Sequence, residues 1–223
     1  MWEIMVSLKQ ICADETIKNY IEAADKNLAA LGYTEHSFAH MIKSAESVKD
    51  ILTALEYSDR EIELGQIAGY LHDIGNVVNR SDHAHHGALM ALQLLTGLGM
   101  PAGEIATIVS AIGHHDEGTA FPVSATAAAL ILADKSDVRR SRVRNQDRDT
   151  FDIHDRVNYA VESSQLLIST GGKTITLSIQ IDTAISSVME YFEIFIGRMK
   201  LCRAAANFFG YQFKLVINGT SLI

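Results

Sequence analysis

His72 and Asp73 stand side by side at the end of an apolar helical run, and Gly75 follows as a helix stop. An imidazole and a carboxylate so placed can reach one cation, leaving the second carboxylate oxygen free to touch another. Four of the nine histidines fall within residues 68–87: His72, then His83, His85 and His86 at the start of the next helical pattern. His83 and His86 share a face, and His85 faces water or a site equally well. Elsewhere His36 and His40 lie four apart at the start of an earlier run, His114 and His115 follow Gly113 at the end of a later one, and Asp134 comes at the far end of a third. Neutral imidazoles with carboxylates suit a divalent Mn, Fe, Co, Ni, Zn or Mg ion, with water in the open positions. Two such ions a short distance apart can generate hydroxide and hold a phosphoryl oxygen, which is what hydrolysis of a phosphate ester requires.

The order His40, His72-Asp73, His83, His114-His115, Asp134 resembles that of the HD-domain superfamily of metal-dependent phosphohydrolases. The likeness runs from about His36 to Ser136, and four local segments carry it in order: the helix of His40, Ala68 to Gly75, His83 to Gly87, and Ile131 to Asp134. The resemblance implies that His40, His72, Asp73 and Asp134 hold one ion, with His72 and Asp73 as the catalytic pair. It implies that His83 with one or both of His114 and His115 holds a second ion, Asp73 bridging. His36 and His86 are expected to orient ligands through hydrogen bonds. The implied substrate is a small phosphorylated metabolite or nucleotide. Asn76 stands where the cyclic-dinucleotide phosphodiesterases of the family carry lysine, and Asp116-Glu117-Gly118-Thr119 replaces their Gly-Tyr-Pro signature. The competing enzyme reading is a di-iron oxygenase of the inositol-oxygenase-like type, which shares fold and ligands. A regulatory module that keeps its metal for structure is the third.

Helices must position these groups. Asp14 caps a run that Gly32 closes, Glu35 to Ser37 open the helix of His40, and Ser58 with Glu61 form a capping box for the helix that ends in His72. A fourth helix follows Asp82, a fifth starts at Pro101, and a sixth from Ser124 is apolar almost all round, hence central. Residues 139–148 then bring Arg139, Arg140, Arg142, Arg144 and Arg148 among polar neighbours. Asp147 and Asp149 can neutralise this run as a solvated face. It begins so soon after Asp134 that Lys135, Arg139 and Arg140 are also candidates to clamp a substrate phosphate. His154-Asp155 repeats the doublet but has no histidine-bearing partner segment after it, and reads as a decoy. A short helix is expected around Val157 to Val161. From Leu166 the period changes to two, a turn at Thr170 to Lys173 follows, and a helix from about Thr183 to Phe209 precedes a last strand through Phe213 to Ile217.

The expected fold is therefore mainly α, an HD-domain-like helical bundle over 1–163 with a small ββαβ subdomain over 164–223. Residues 1–12 are apolar and uninformative. A net charge of −8 argues against general nucleic-acid binding. Cys12 and Cys202 lie far apart and suggest neither a disulfide framework nor a thiolate site. With no signal-peptide pattern and no apolar run of membrane-spanning length, a cytoplasmic protein without a membrane partner is expected, and a homodimer stays open.

Overall fold

A computed structural model describes residues 5–223; residues 1–4, which belong to the uninformative opening stretch and to the expected 1–163 unit, lie outside the described residues. Six helices form the bundle around the candidate site: α2 (Glu15–Ala30), α3 (Phe38–Ala54), α4 (Asp59–Leu71), α5 (His83–Gly97), α6 (Ala102–Gly113) and α7 (Ala125–Ser136). A short α1 (Leu8–Ala13) precedes them, where no element was expected, because Ser7 and Gln10 build a capping box and Ile11 is buried. Asp14 caps α2, Ser37 caps α3, Ser58 with Glu61 caps α4, and Ser124 caps α7, so these four helices start where the sequence places their starts. Every residue from Thr126 to Ser136 in α7 is buried, which makes it the central helix.

Two close approaches bring the ligating segments together. A Cβ on Gly69 would lie 3.0 Å from the backbone of Ala45, so glycine lets α4 settle directly on α3 and carries His72 towards His40. A Cβ on Gly75 would lie 2.1 Å from the His83 carbonyl oxygen and 2.4 Å from the Gly87 nitrogen. No side chain fits there, and the turn after His72-Asp73 therefore lies flat against the first turn of α5. Asp82 enters α5 with a left-handed φ of 55°, a conformation that Asp tolerates, and places His83 at the first helical position.

After α7 the chain runs through the arginine-rich loop to α8 (Ile153–Ala160) and passes directly into β1 (Val161–Ser169). The short helix thus begins before Val157, and the strand begins five residues before the period-two pattern, since Val161 caps α8 in extended conformation and already pairs with Ile181. β1 and β2 (Thr174–Ile181) form the antiparallel hairpin; α9 (Val188–Phe208), capped by Ser187 and Glu190, crosses over to β3 (Gln212–Ile217), parallel to β2, and a two-residue β4 (Thr220–Ser221) closes the order β1-β2-β3-β4. α9 starts later than expected because the capping box sits at Ser187, and residues 183–187 form a turn. Ile175, Leu177 and Ile179 of β2 and Phe213, Leu215 and Ile217 of β3 are buried, as are Tyr191, Phe195, Met199 and Cys202 of α9, which also packs along α7. The fold is a mainly helical body with a small α+β element. Among the described residues no helix is long and apolar enough to cross a membrane.

Candidate metal centre

Five histidines from four regions converge on two carboxylates. His40 comes from the first turn of α3, His72 and Asp73 from the end of α4, His83 from the first residue of α5, His115 from just past α6, and Asp134 from the last turn of α7. His36, in the segment leading into α3, joins the edge. His40 and His72 are fully buried; Asp73, His83 and His115 are no more than 3% exposed, and Asp134 and His36 reach 9%.

Each imidazole is anchored through Nδ1. That atom donates to the Thr34 carbonyl in His36 (2.7 Å), to Asp137 Oδ2 in His40 (2.8 Å), to the Gly69 carbonyl in His72 (2.8 Å), to the Arg80 carbonyl in His83 (3.1 Å) and to the Ile112 carbonyl in His115 (2.7 Å). Carbonyl and carboxylate oxygens only accept, so the proton sits on Nδ1 and the Nε2 lone pair points inward. The inward atoms form two groups. His40 Nε2 lies 3.3 Å and His72 Nε2 3.7 Å from Asp134 Oδ1, and both approach Asp73 Oδ2, at 3.8 and 3.4 Å. On the other side His83 Nε2 lies 3.2 Å and His115 Nε2 3.8 Å from Asp73 Oδ1. Imidazole nitrogens face each other at 3.2 Å across the first group and 3.3 Å across the second. Lone pairs held that close to one another and to two carboxylates need positive charge between them. One ligand atom each from His40, His72 and Asp134, and likewise from His72, Asp73 and His115, all lie within 4.8 Å of one another. This donor set fits a divalent cation on either oxygen of Asp73.

The pattern of the HD domain family matches residues 33–148, more than half of the chain and the stretch that supplies every one of these ligating atoms. The chain belongs to the HD domain family. Its members are generally metal-dependent hydrolases. No curated protein matches the chain.

The electrostatics of this HD domain favour a cation as strongly as the geometry does. Burial opposes a charged His72, yet Asp73 and Asp134 beside it push the imidazole up to about 10. Burial likewise works against charge on Asp73 and Asp134; the histidines around the first, and Lys135 and the histidines around the second, hold both carboxyls well below the usual range. His36 and His115 are pushed down, mainly by burial, and stay neutral. The centre thus holds two anions, with His36 and His115 neutral beside them and His72 disposed to carry positive charge.

Not every expected residue joins. Of the pair after α6, His115 enters the centre while His114 turns its Nδ1 back to the Ser110 carbonyl at 2.8 Å. His86 has its Nδ1 buried without a hydrogen-bond partner and, among the described residues, makes no ion pair with the centre's carboxylates. His85 is exposed beside Asp82. Lys135 is buried, 2.5 Å from Asp134 Oδ2 and 3.2 Å from Glu117 Oε2. Arg139 is paired with Glu35 at 2.9 Å and Asp137 at 3.0 Å, and Arg140 lies exposed over the Tyr159 ring, 4.7 Å from its centroid.

Three residues gain a place that sequence patterns did not assign. Asp137 is the anionic acceptor behind His40. Arg80 donates to Asn76 Oδ1 at 3.3 Å and lies 3.4 Å from His83 Nε2 and 3.9 Å from Asp73 Oδ1. Asp116 Oδ1 stands 3.8 Å from His83 Nε2. Arg80 lies three residues before His83 in a loop without periodicity; only its nearness to the doublet could have marked it.

Proposed function

We propose that the chain is a phosphohydrolase that uses two divalent ions to cleave a small phosphorylated metabolite or nucleotide. His40, His72, Asp73 and Asp134 would hold one ion, and Asp73, His83 and His115 the other. When bound, such ions supply an acidified water and positive charge for the phosphoryl oxygens. The observation that carries the reading is the pair of inward-facing nitrogen groups, one against each oxygen of Asp73.

The chain's own residues then divide the work. The Nδ1 anchors fix each imidazole in the tautomer that presents Nε2, and Asp137 adds a negative charge behind His40. Arg80 is the guanidinium best placed for phosphate, because its contacts are an amide oxygen, an imidazole nitrogen and a carboxylate oxygen as far as 3.9 Å away. Its donors keep capacity for phosphoryl oxygens, which a planar guanidinium binds in pairs. Arg139, by contrast, is already engaged by two carboxylates. Lys135 neutralises Asp134 on the side away from the histidines and keeps that carboxylate oriented.

Asp73→Asn tests the reading directly. Elemental analysis of protein purified without chelator is expected to show up to two divalent ions per wild-type chain and a loss of both in the variant. Turnover of a panel of phosphate esters should fall in step, by at least about a thousandfold (roughly 4 kcal/mol). A variant with undiminished metal content would remove Asp73 from the bridging role, and wild-type protein that holds metal but hydrolyses no phosphate ester would refute the reaction class.

A further inference from the structure

A cavity of about 330 Å³ opens beside the metal centre. His36 forms one wall and connects it to the centre, its Nε2 standing 3.9 Å from Asp73 Oδ2. Arg80 and Tyr33 line the same side, with the guanidinium 5.6 Å from the ring centroid, and Arg198 of α9 reaches in from the α+β element. Both arginines are partly exposed, at 25% and 26%. The remaining wall is the first turn of α8, carrying Asp152 and Asp155 with His154 between them. The second His-Asp doublet, a decoy for metal, thus faces the cavity that leads to the real one.

The cavity is electrically polarised. His36 and Arg80 lie towards the centre, each 3.9 Å from an oxygen of Asp73, and Arg198 donates from Nε to Glu117 at 2.7 Å, which leaves its two Nη atoms without a partner among the described residues. On the α8 side, and among the described residues, neither Asp152 nor Asp155 pairs with a lysine or arginine. Asp152 uses one carboxylate oxygen to accept from the Asp155 backbone N–H at 2.8 Å, and Asp155 accepts from Asn145 at 3.3 Å, so acceptor capacity is left on both. A ligand that matches this space carries one anionic group at its inner end and neutral hydrogen-bond donors at its outer end. A second phosphate at the outer end would meet two unpaired carboxylates.

Resting on the phosphohydrolase reading above, we propose that this cavity selects the monophosphate of a hydroxyl-rich alcohol, a sugar or polyol phosphate, and discriminates against esters bearing a second phosphate. Arg80 and Arg198 take the phosphoryl oxygens, and the carboxylates of Asp152 and Asp155 accept from the hydroxyls. A pocket of this size suits one hexose-sized moiety and excludes long polyphosphate chains. The appended α+β element contributes Arg198 and so belongs to substrate selection.

The test uses the metal-loaded full chain with glucose 6-phosphate, glucose 1,6-bisphosphate and phenyl phosphate. We expect kcat/KM for the hexose monophosphate to exceed that for the other two by about tenfold or more, the scale of one or two charge-assisted contacts. In Asp152→Asn, Asp155→Asn and the double variant, the monophosphate-to-bisphosphate ratio should fall towards one. Asn retains the cap on α8, so the helix persists. Equal or better use of the bisphosphate by wild type, or an unchanged ratio in the double variant, overturns the proposal. Calorimetry with the corresponding non-hydrolysable phosphonates separates the two layers. If no ester is hydrolysed, the reaction class fails, and the cavity's selectivity then stands or falls on whether the hydroxyl-rich monophosphonate still binds about tenfold tighter than the bisphosphonate and the phenyl compound.

Discussion

Around the metal centre each imidazole commits one nitrogen to an acceptor and leaves the other facing inward; in the strap of residues 139–144 the guanidiniums commit their nitrogens outward and leave little over. Arg139 donates to Glu35 and Asp137, Arg142 to the carbonyls of Glu35 and Asp137, and Arg144 to the Tyr33 carbonyl and the Asp25 carboxylate. Asp25 also accepts from the His36 backbone N–H, so the strap fixes the segment that leads into α3. Both regions are conspicuous runs of polar side chains. What separates a site from a brace is the unused donor or acceptor capacity after local hydrogen bonds are counted. The two regions meet at Asp137, which Arg139 holds on one oxygen while His40 donates to the other.

Breaking that junction has the largest expected effect outside the ligating residues themselves. Asp137→Asn keeps an acceptor for His40 Nδ1 but removes its charge, and should weaken metal binding by roughly ten- to a hundredfold. Competition of the metal-free protein against a chromogenic chelator measures it. Unchanged affinity with a lowered melting temperature would make Asp137 a structural partner of Arg139 and Arg142 alone, and the two regions would then be independent.

The junction also marks where sequence reading stops. The segments that meet at the candidate centre were legible because each is tied to a local signal: a helix end, a cap, or an apolar run that turns polar at His72. Ser58 with Glu61 and Ser124 mark starts that the structure keeps. The choice between His114 and His115 was not legible, since both lie at or past the end of α6, where helical periodicity no longer says which way a side chain points. Neither was the His40–Asp137 pair, whose members are 97 residues apart and meet only through the packing of α3 against α7. The start of β1 was hidden for another reason. No turn residue separates it from α8, so the change of period shows only after the strand is under way.

A smaller effect is expected at Glu117, a carboxylate held between two cations beside the centre. Burial would raise its carboxyl, but Lys135 and Arg198 on either side push it down to about 2, from an ordinary value of 4.5. A carboxylate with a lowered folded-state pKa contributes stability that is present above its unfolded value and lost as pH falls through the folded one. The contribution of Glu117 is thus complete above about pH 4.5 and gone near pH 2. Its side chain is 30% exposed, and solvent screening reduces the contribution to at most ~2 kcal/mol. Urea unfolding of metal-free Glu117→Gln and wild type between pH 3 and 7 should show curves that converge on acidification. A constant offset across that range would mean that the carboxylate's charge does not supply the stability.

The smallest effect belongs to Arg140, and it decides whether the strap is a brace along its whole length. Its Nε donates to the Tyr159 carbonyl at 2.6 Å and its guanidinium lies over the Tyr159 ring, both on the exposed side of the molecule. A cation over an exposed ring contributes ~0.5–1 kcal/mol, and a solvent-accessible hydrogen bond adds little more. Arg140→Ala should therefore lower stability by about 1 kcal/mol and leave metal content, KM and kcat at wild-type values. A phosphate clamp at this position would show itself differently. Loss of contacts made equally in ground and transition states would raise KM alone, and loss of one formed as charge develops would lower kcat. Either change, with metal content intact, would show that the strap reaches the substrate and that committed side chains here still do chemistry. Kinetics at wild-type values would confine substrate recognition to the groups with capacity left over, Arg80 and Arg198 first among them.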